Sequence, residues 1–284
     1  MGEGEGVQEF GHSHAERPLD DRTPGSPWYG VDLVRIESAL LAAKELVERF
    51  TPRATTAQRK SNFDPVTEAD LALDSLLKER LLDVGEGWLS EETQDERRRL
   101  DLAKVWVVDP LDGTKEFVAG IPEWSVSVGL VENGVAVAGG ILNPLTGFLA
   151  LGASGVGCRL NGIDAVPSDT ASLEQATILA SRTEVDRGEW DHWAKSGLQI
   201  QPMGSVAYKL ARVACGLADA TWTLVPKNEW DVAAGVALVK ASGGRVVSSD
   251  GSEPRFNQAS SLLPGLIASG PNLFDTLKRA LLAA

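Results

Sequence analysis

The stretch Val105-Trp106-Val107-Val108-Asp109-Pro110-Leu111-Asp112-Gly113-Thr114-Lys115-Glu116-Phe117 carries an apolar run into two carboxylates, a glycine and a hydroxyl. Runs of β-branched and aromatic residues bounded by Pro and Gly form buried strands. The two acids are therefore expected at the C-terminal end of a strand, the sheet edge where α/β proteins carry out chemistry. Pro110 has no N–H for a sheet ladder and Gly113 tolerates unusual backbone angles, which predicts that the strand stops at Pro110 and that the chain turns sharply between the acids. Two ionised carboxylates held close together repel and resist burial unless cations neutralise them, and oxygen-only ligands suit hard ions such as Mg²⁺. Asp109 and Asp112 are accordingly candidate metal ligands, with Gly113 and Thr114 offering N–H groups to a phosphate. An Asx-rich turn without a metal is the alternative use of Asp-Pro and Asp-Gly pairs. The D-x-x-D spacing excludes an EF-hand loop, which needs acids at alternate positions, and the D-x-D of aspartyl-phosphate phosphatases.

Upstream of this stretch, Leu33, Ile36, Leu40, Ala43, Val47 and Phe50 step by three and four, a helical stripe that Asp32 could cap. Thr67 followed by Asp70 fits a capping box opening a helix with Leu73, Leu76, Leu77 and Leu81 on one face. Glu91 and Glu92 follow the apolar Trp88-Leu89 and precede the arginines at 97–99, a pattern that also suits a solvated helix start. Downstream, residues 125–131 and 135–142 are strand-like and joined by Glu132-Asn133-Gly134, a hairpin signal, and 148–151 adds another strand. The second half opens its strand at Thr177-Ile178-Leu179-Ala180, before Ser181. Ser205 should begin a helix ending near Gly216, and the free N–H groups of such an end attract anions that Lys209, one turn inside, could also reach. An exposed helical lysine is the plainer account of Lys209. Asp231 is placed to N-cap a helix over 232–240.

The chain has 284 residues and a net charge of −13, ample for a large core and contrary to the basic surface that nucleic acid or an anionic membrane would need. An anionic small substrate is still admissible, because bound metal ions invert the local sign. Cys158 and Cys215 form neither a disulfide framework nor a zinc motif, no apolar run approaches a membrane span, and the first residues lack a signal-peptide pattern. These features imply a cytoplasmic protein. Residues 1–30 are rich in Gly, Pro, His and charge without periodicity, the composition of a mobile tail in which His12 and His14 are incidental.

The string W-V-V-D-P-L-D-G-T-K-E-F resembles the first signature of the inositol monophosphatase superfamily, Mg²⁺-dependent and Li⁺-sensitive phosphatases. Its Lys-Glu-Phe ending is most similar to that of the 3′(2′),5′-bisphosphate nucleotidases. The D-x-V-T-x-x-D of residues 64–70, the S-E-E-T of 90–93 and the W-D-x-A-A-G beginning at Trp230 match companion motifs. The resemblance implies an α/β fold, a layered αβαβα sandwich, with a half over 31–155 carrying most metal ligands and a half over 156–284 carrying substrate contacts and the last ligand. It further implies that Glu91, Asp109, the Leu111 carbonyl, Asp112 and Asp231 hold two or three Mg²⁺ ions, that Asp70 and Thr114 orient and deprotonate water, and that Gly113, Thr114, Ser181, Ser205 and Lys209 contact substrate. The implied reaction removes the 3′-phosphate of 3′-phosphoadenosine 5′-phosphate, a small phosphorylated metabolite, and a homodimer is admissible. Glu184 stands where the nucleotidases have a histidine, and Leu224 where inositol phosphatases have a substrate-binding Glu. An inositol or other polyol monophosphatase is the alternative enzyme, and a Mg²⁺ or nucleotide-binding regulator is the non-enzymatic one, although no expected carboxylate is missing.

Overall fold

The computed structural model describes residues 30–50, 57–59, 65–195 and 197–282. The expected tail, His12, His14 and Asp64 lie outside the described residues. Helix α1 (Val31–Val47) buries Leu33, Ile36, Leu40, Ala43 and Val47, the stripe expected from their spacing. Its N-cap is Gly30, with Asp32 inside the first turn, so the expected cap lies two residues too late. A short hairpin of β1 (Ala57–Arg59) and β2 (Pro65–Thr67) leads into α2 (Glu68–Leu81), which starts with the Thr67/Asp70 capping box.

A seven-stranded sheet follows, formed in sequence order by β3 (Gly87–Ser90), β4 (Lys104–Asp112), β5 (Ser125–Glu132), β6 (Val135–Asn143), β7 (Phe148–Ala153), β8 (Gly157–Leu160) and β9 (Ile163–Ala165). β3 and β4 are parallel and the rest pair antiparallel. The six-residue helix α3 (Thr114–Ala119) separates β4 from β5. Because β8 and β9 continue this sheet, the change of half falls within 166–176 and not near 155, where a turn at 154–156 only reverses the chain.

Pro110 does not end β4. The register passes from Asp109 opposite Ser127 to Asp112 opposite Ser125, three steps on one strand against two on the other. Side chains alternate along a strand, so residues three apart would face opposite ways; the extra residue of the bulge brings both acids to one side.

The remaining chain supplies β10 (Thr177–Ser181), α4 (Arg182–Asp186), α5 (Asp191–Lys195), β11 (Gln199–Met203), α6 (Val206–Ala214), β12 (Ala220–Thr223), β13 (Lys227–Asn228), α7 (Glu229–Ala241), β14 (Arg245–Ser248), β15 (Leu262–Leu263), β16 (Leu266–Ser269) and α8 (Phe274–Leu282). The second sheet runs β11-β10-β12-β16-β14. One apolar cluster joins α1 and α2 to one face of the first sheet through Leu40, Leu73, Trp106 and Val128. A second fills the space between the sheets with α6 and α7, and a third packs Ile178, Trp222 and Ile267 against Phe274 and Leu277 of α8. The layers are thus α, β, α, β, α, as expected. Cys158 and Cys215 both lie in the central layer as buried free thiols. Among the described residues no helix is long and apolar enough to cross a membrane.

Two glycines set the depth of α7. Gly129 and Gly139 are cross-strand partners, and a Cβ on Gly139 would lie 2.5 Å from the Ala234 carbonyl oxygen. The helix therefore rests on bare backbone, which fixes how close its first turn comes to β4. Replacing Gly139 with Ala should lower stability by about 1–3 kcal/mol, as overpacking does; an unchanged urea midpoint would contradict this account of the helix–sheet contact.

Candidate active site

Three acids, two at the end of β4 and one in the first turn of α7, behave alike. Asp109 Oδ1 accepts the Leu111 N–H at 3.0 Å, Asp231 Oδ2 accepts the Asn228 N–H at 2.9 Å, and Asp112 Oδ2 accepts the Ala207 N–H at 2.6 Å and the Ser205 hydroxyl at 2.7 Å. In each, the second carboxylate oxygen has no hydrogen bond among the described residues. With Glu91, Leu111, Gly113 and Thr114 they line a cavity of about 260 Å³ that also reaches Ser181, Ser205 and Lys209. Every site residue expected from the sequence except Asp70 lines this cavity, and Asp70 touches it through Thr114, whose hydroxyl donates to Asp70 Oδ1 at 3.3 Å and also lies 3.2 Å from the Leu111 carbonyl oxygen.

The electrostatics of the cavity are those of unneutralised acids. Burial, then the nearby charges of Glu91, Asp112, Asp231 and Asp70, push the Asp109 carboxyl well above the carboxylate range. Burial, with Asp112 and Glu91, raises Asp231 to about 8. Burial raises Asp112 as well, against the opposing hydrogen bonds of Ser205 and Ala207. Among the described residues no three acids, histidines or cysteines already close on one point as finished metal ligands. The donor set fits hard divalent ions nonetheless: oxygen-only, buried, each Asp with one oxygen anchored and one unbonded.

Several placements differ from expectation. Asp231 is the third residue of α7 and completes a capping box with Asn228, which is the N-cap; the helix starts at Glu229. Glu91 opens no helix but follows β3 directly, its N–H 3.4 Å from the Val108 carbonyl. The N-terminus of α6 is not open to a substrate anion, because Asp112 occupies it. Ser205 has no capacity left: its hydroxyl donates to Asp112 and accepts from the Tyr208 N–H at 3.0 Å, with Ser125 Oγ at 3.0 Å. Its φ of 54° is rare for a residue with a side chain, and such strain collects where a functional group must be aimed. Lys209 is not exposed. It is 4% accessible, its Nζ is 3.5 Å from the Met203 carbonyl oxygen, and burial lowers it to about 8.

A smaller recess adjoins the cavity and shares Ser181, Val206, Lys209 and Lys227 with it; Glu184, Thr221 and Thr223 complete its polar lining. Glu184 is buried and accepts the Trp190 indole N–H at 3.0 Å and the Thr223 hydroxyl at 3.3 Å, so donors hold its charge. Ser181 caps α4, accepting the Glu184 N–H.

Supporting residues went unseen in the sequence. Asp74 accepts the hydroxyls of Ser90 and Thr93, clasping the turn that carries Glu91, and it lies one helical turn beyond Asp70 on α2. Glu123 pairs with Arg182 and accepts the Gly204 N–H at 2.9 Å, tying the loop before β5 to both α4 and the start of α6. The Asp at the i+4 spacing was a usable signal; nothing local pointed to Glu123.

A model of the inositol monophosphatase family matches residues 30–280. Inositol monophosphatase 3 of Solanum lycopersicum is 33% identical over 235 residues, covering 78% of this chain and 86% of its own. Among solved structures, an inositol monophosphatase from Anabaena is similar with a TM-score of 0.72 at 28% identity, over 89% of this chain and 95% of that one. CysQ from Bacteroides thetaiotaomicron, described as a bacterial member of the same family, gives 0.69 at 27% identity over 86% and 98%.

Because acids with raised pKa values hold protons that a cation must displace, Mg²⁺ binding at pH 7 should release about one proton or more, and affinity should rise with pH up to about 8, the value of Asp231. Titration calorimetry in buffers of different ionisation enthalpy measures this directly. Heats independent of the buffer would mean that the acids are already ionised.

Proposed function

The chain belongs to the inositol monophosphatase family, and from that premise we propose that it is a Mg²⁺-dependent phosphomonoesterase that removes the 3′-phosphate of 3′-phosphoadenosine 5′-phosphate, leaving AMP and phosphate. Glu91, Asp109, the Leu111 carbonyl, Asp112 and Asp231 would hold the ions, two at least. Bound there, Mg²⁺ would supply an acidified water and charge neutralisation for the departing oxygen. Asp70 would accept the proton of the attacking water by way of the Thr114 hydroxyl, and the Thr67 N–H and hydroxyl bonded to Asp70 Oδ2 keep its Oδ1 aimed at Thr114. Gly113 and Thr114, at the cavity wall, would donate N–H groups to the transferring phosphoryl oxygens. Two unpaired thiols suit a cytoplasmic setting.

The observation that carries the choice of substrate is the pair Lys209 and Lys227 on one wall of the acid-lined cavity, positive groups that a second phosphate of the substrate would meet. Leu224, 51% exposed, offers no acceptor for a sugar hydroxyl. The relatives named inositol monophosphatases favour the second reading, hydrolysis of inositol 1-phosphate or another polyol phosphate.

Two measurements check the proposal. Asp112→Asn removes a charge while keeping shape, so Mg²⁺-dependent turnover should drop about a hundredfold or more with unchanged circular dichroism; near-normal turnover would falsify the ligand assignment. In wild type, kcat/KM for 3′-phosphoadenosine 5′-phosphate should exceed that for inositol 1-phosphate, and the reverse order assigns the protein to the polyol reading.

A further inference from the structure

Lys227 lies between the sequence motifs and belongs to none of them. It sits on the two-residue strand β13, held by pairing of Lys227 with Leu263 and Asn228 with Leu262, four positions before Asp231. Its side chain lines both the acid cavity and the recess and is partly buried, yet it makes no hydrogen bond or ion pair among the described residues. The neighbouring cations differ: Arg182 is held by Glu123, and Lys209 leans on the Met203 carbonyl.

A partly desolvated ammonium without a partner is costly, so its position calls for an anion. The charges within its reach are Asp112, Asp231 and Glu189 on one side and Lys209 on the other. Once divalent ions neutralise Asp112 and Asp231, Lys227 and Lys209 outnumber Glu184, the acid that lines the recess beside them, and leave a net positive patch on that side of the acid cavity. The loop between Thr223 and Lys227 adds Leu224 and Val225, 51% and 42% exposed, an apolar surface in sequence next to that charge.

We propose that Lys227 is a specificity-determining residue that binds a second anionic group of the substrate, remote from the phosphate being hydrolysed, while Leu224 and Val225 contact the apolar part of the molecule that carries it. The substrate class is a bisphosphorylated small molecule with an apolar ring. This rests on the phosphomonoesterase activity proposed above, but not on the substrate being a nucleotide.

The test uses two substrate pairs, each sharing one reacting phosphate and differing in a second: 3′-phosphoadenosine 5′-phosphate with adenosine 3′-phosphate, and inositol 1,4-bisphosphate with inositol 1-phosphate. With Mg²⁺ saturating, kcat/KM is measured for wild type, Lys227→Met and Lys227→Arg. In whichever pair wild type hydrolyses, Lys227→Met should shrink the bisphosphate-to-monophosphate ratio about tenfold or more, chiefly through KM, the scale of one charge-assisted contact, and Lys227→Arg should restore most of it. Turnover of the inositol pair alone sinks the nucleotide assignment and, because the inositol ring is polar, the apolar contact of Leu224 and Val225, while still deciding whether Lys227 binds the second phosphate. An equal loss on both members of a pair shows that Lys227 only tunes the acids, and it overturns the proposal, as does turnover of neither bisphosphate.

Discussion

Mutual repulsion among buried carboxylates is the constraint to which the rest of the molecule answers. Asp112 and Asp231 raise the affinity of Asp109 for protons, Asp112 raises that of Asp231, and Glu91 adds to both. A crevice of this kind opposes its own closure, and the surrounding structure offsets the cost with fixed dipoles. The first turn of α6 is aimed at Asp112, the capping box of α7 holds Asp231, and the backbone of the bulge holds Asp109. The bare backbone of Gly129 and Gly139 then lets α7 come close enough for its acid to join the other two. Stability is thereby exchanged for a site ready to receive cations, the usual trade at functional centres.

What could be seen in the sequence was whatever depends on neighbours in the chain. The apolar run before Asp109, the Thr67/Asp70 box and the Asn133-Gly134 hairpin are local patterns with local causes, and the structure carries all three. Pro110 misled because its missing N–H forbids an ordinary ladder bond but not a bulge, where a residue goes unpaired anyway. The α6 terminus misled for a different reason. A helix end attracts some anion, and the pattern could not say that the anion would be Asp112, 93 residues earlier. Glu123, 81 residues from Gly204, is invisible on the same grounds.

The two sides of the site answer to different rules. The acid side is built from backbone contacts and capping boxes, features that leave motifs behind. The recess is built from side chains on β10, β12, β13 and α6 that meet only after folding, and Glu184 in its lining and Leu224 nearby in sequence are the two positions at odds with the residues that the resemblance implies. Trp190 and Thr223 donate to Glu184 and fix its orientation, but neutral donors leave its negative charge in place, and the two lysines set against it keep the recess net positive.

The bulge in β4 makes chain length, and not only chemistry, a heritable property of this site. Loss of a single residue from Pro110-Leu111 would restore the regular alternation of the strand with both acids still on one face, yet it would remove the turn in which the Leu111 N–H anchors Asp109 and the Leu111 carbonyl meets Thr114. A lineage could therefore exchange residues around the acids one at a time, while the smallest deletion there would silence the site at once. Variation in this segment should be dominated by substitution, and a member that had lost its chemistry would be recognised by a gap sooner than by a missing Asp.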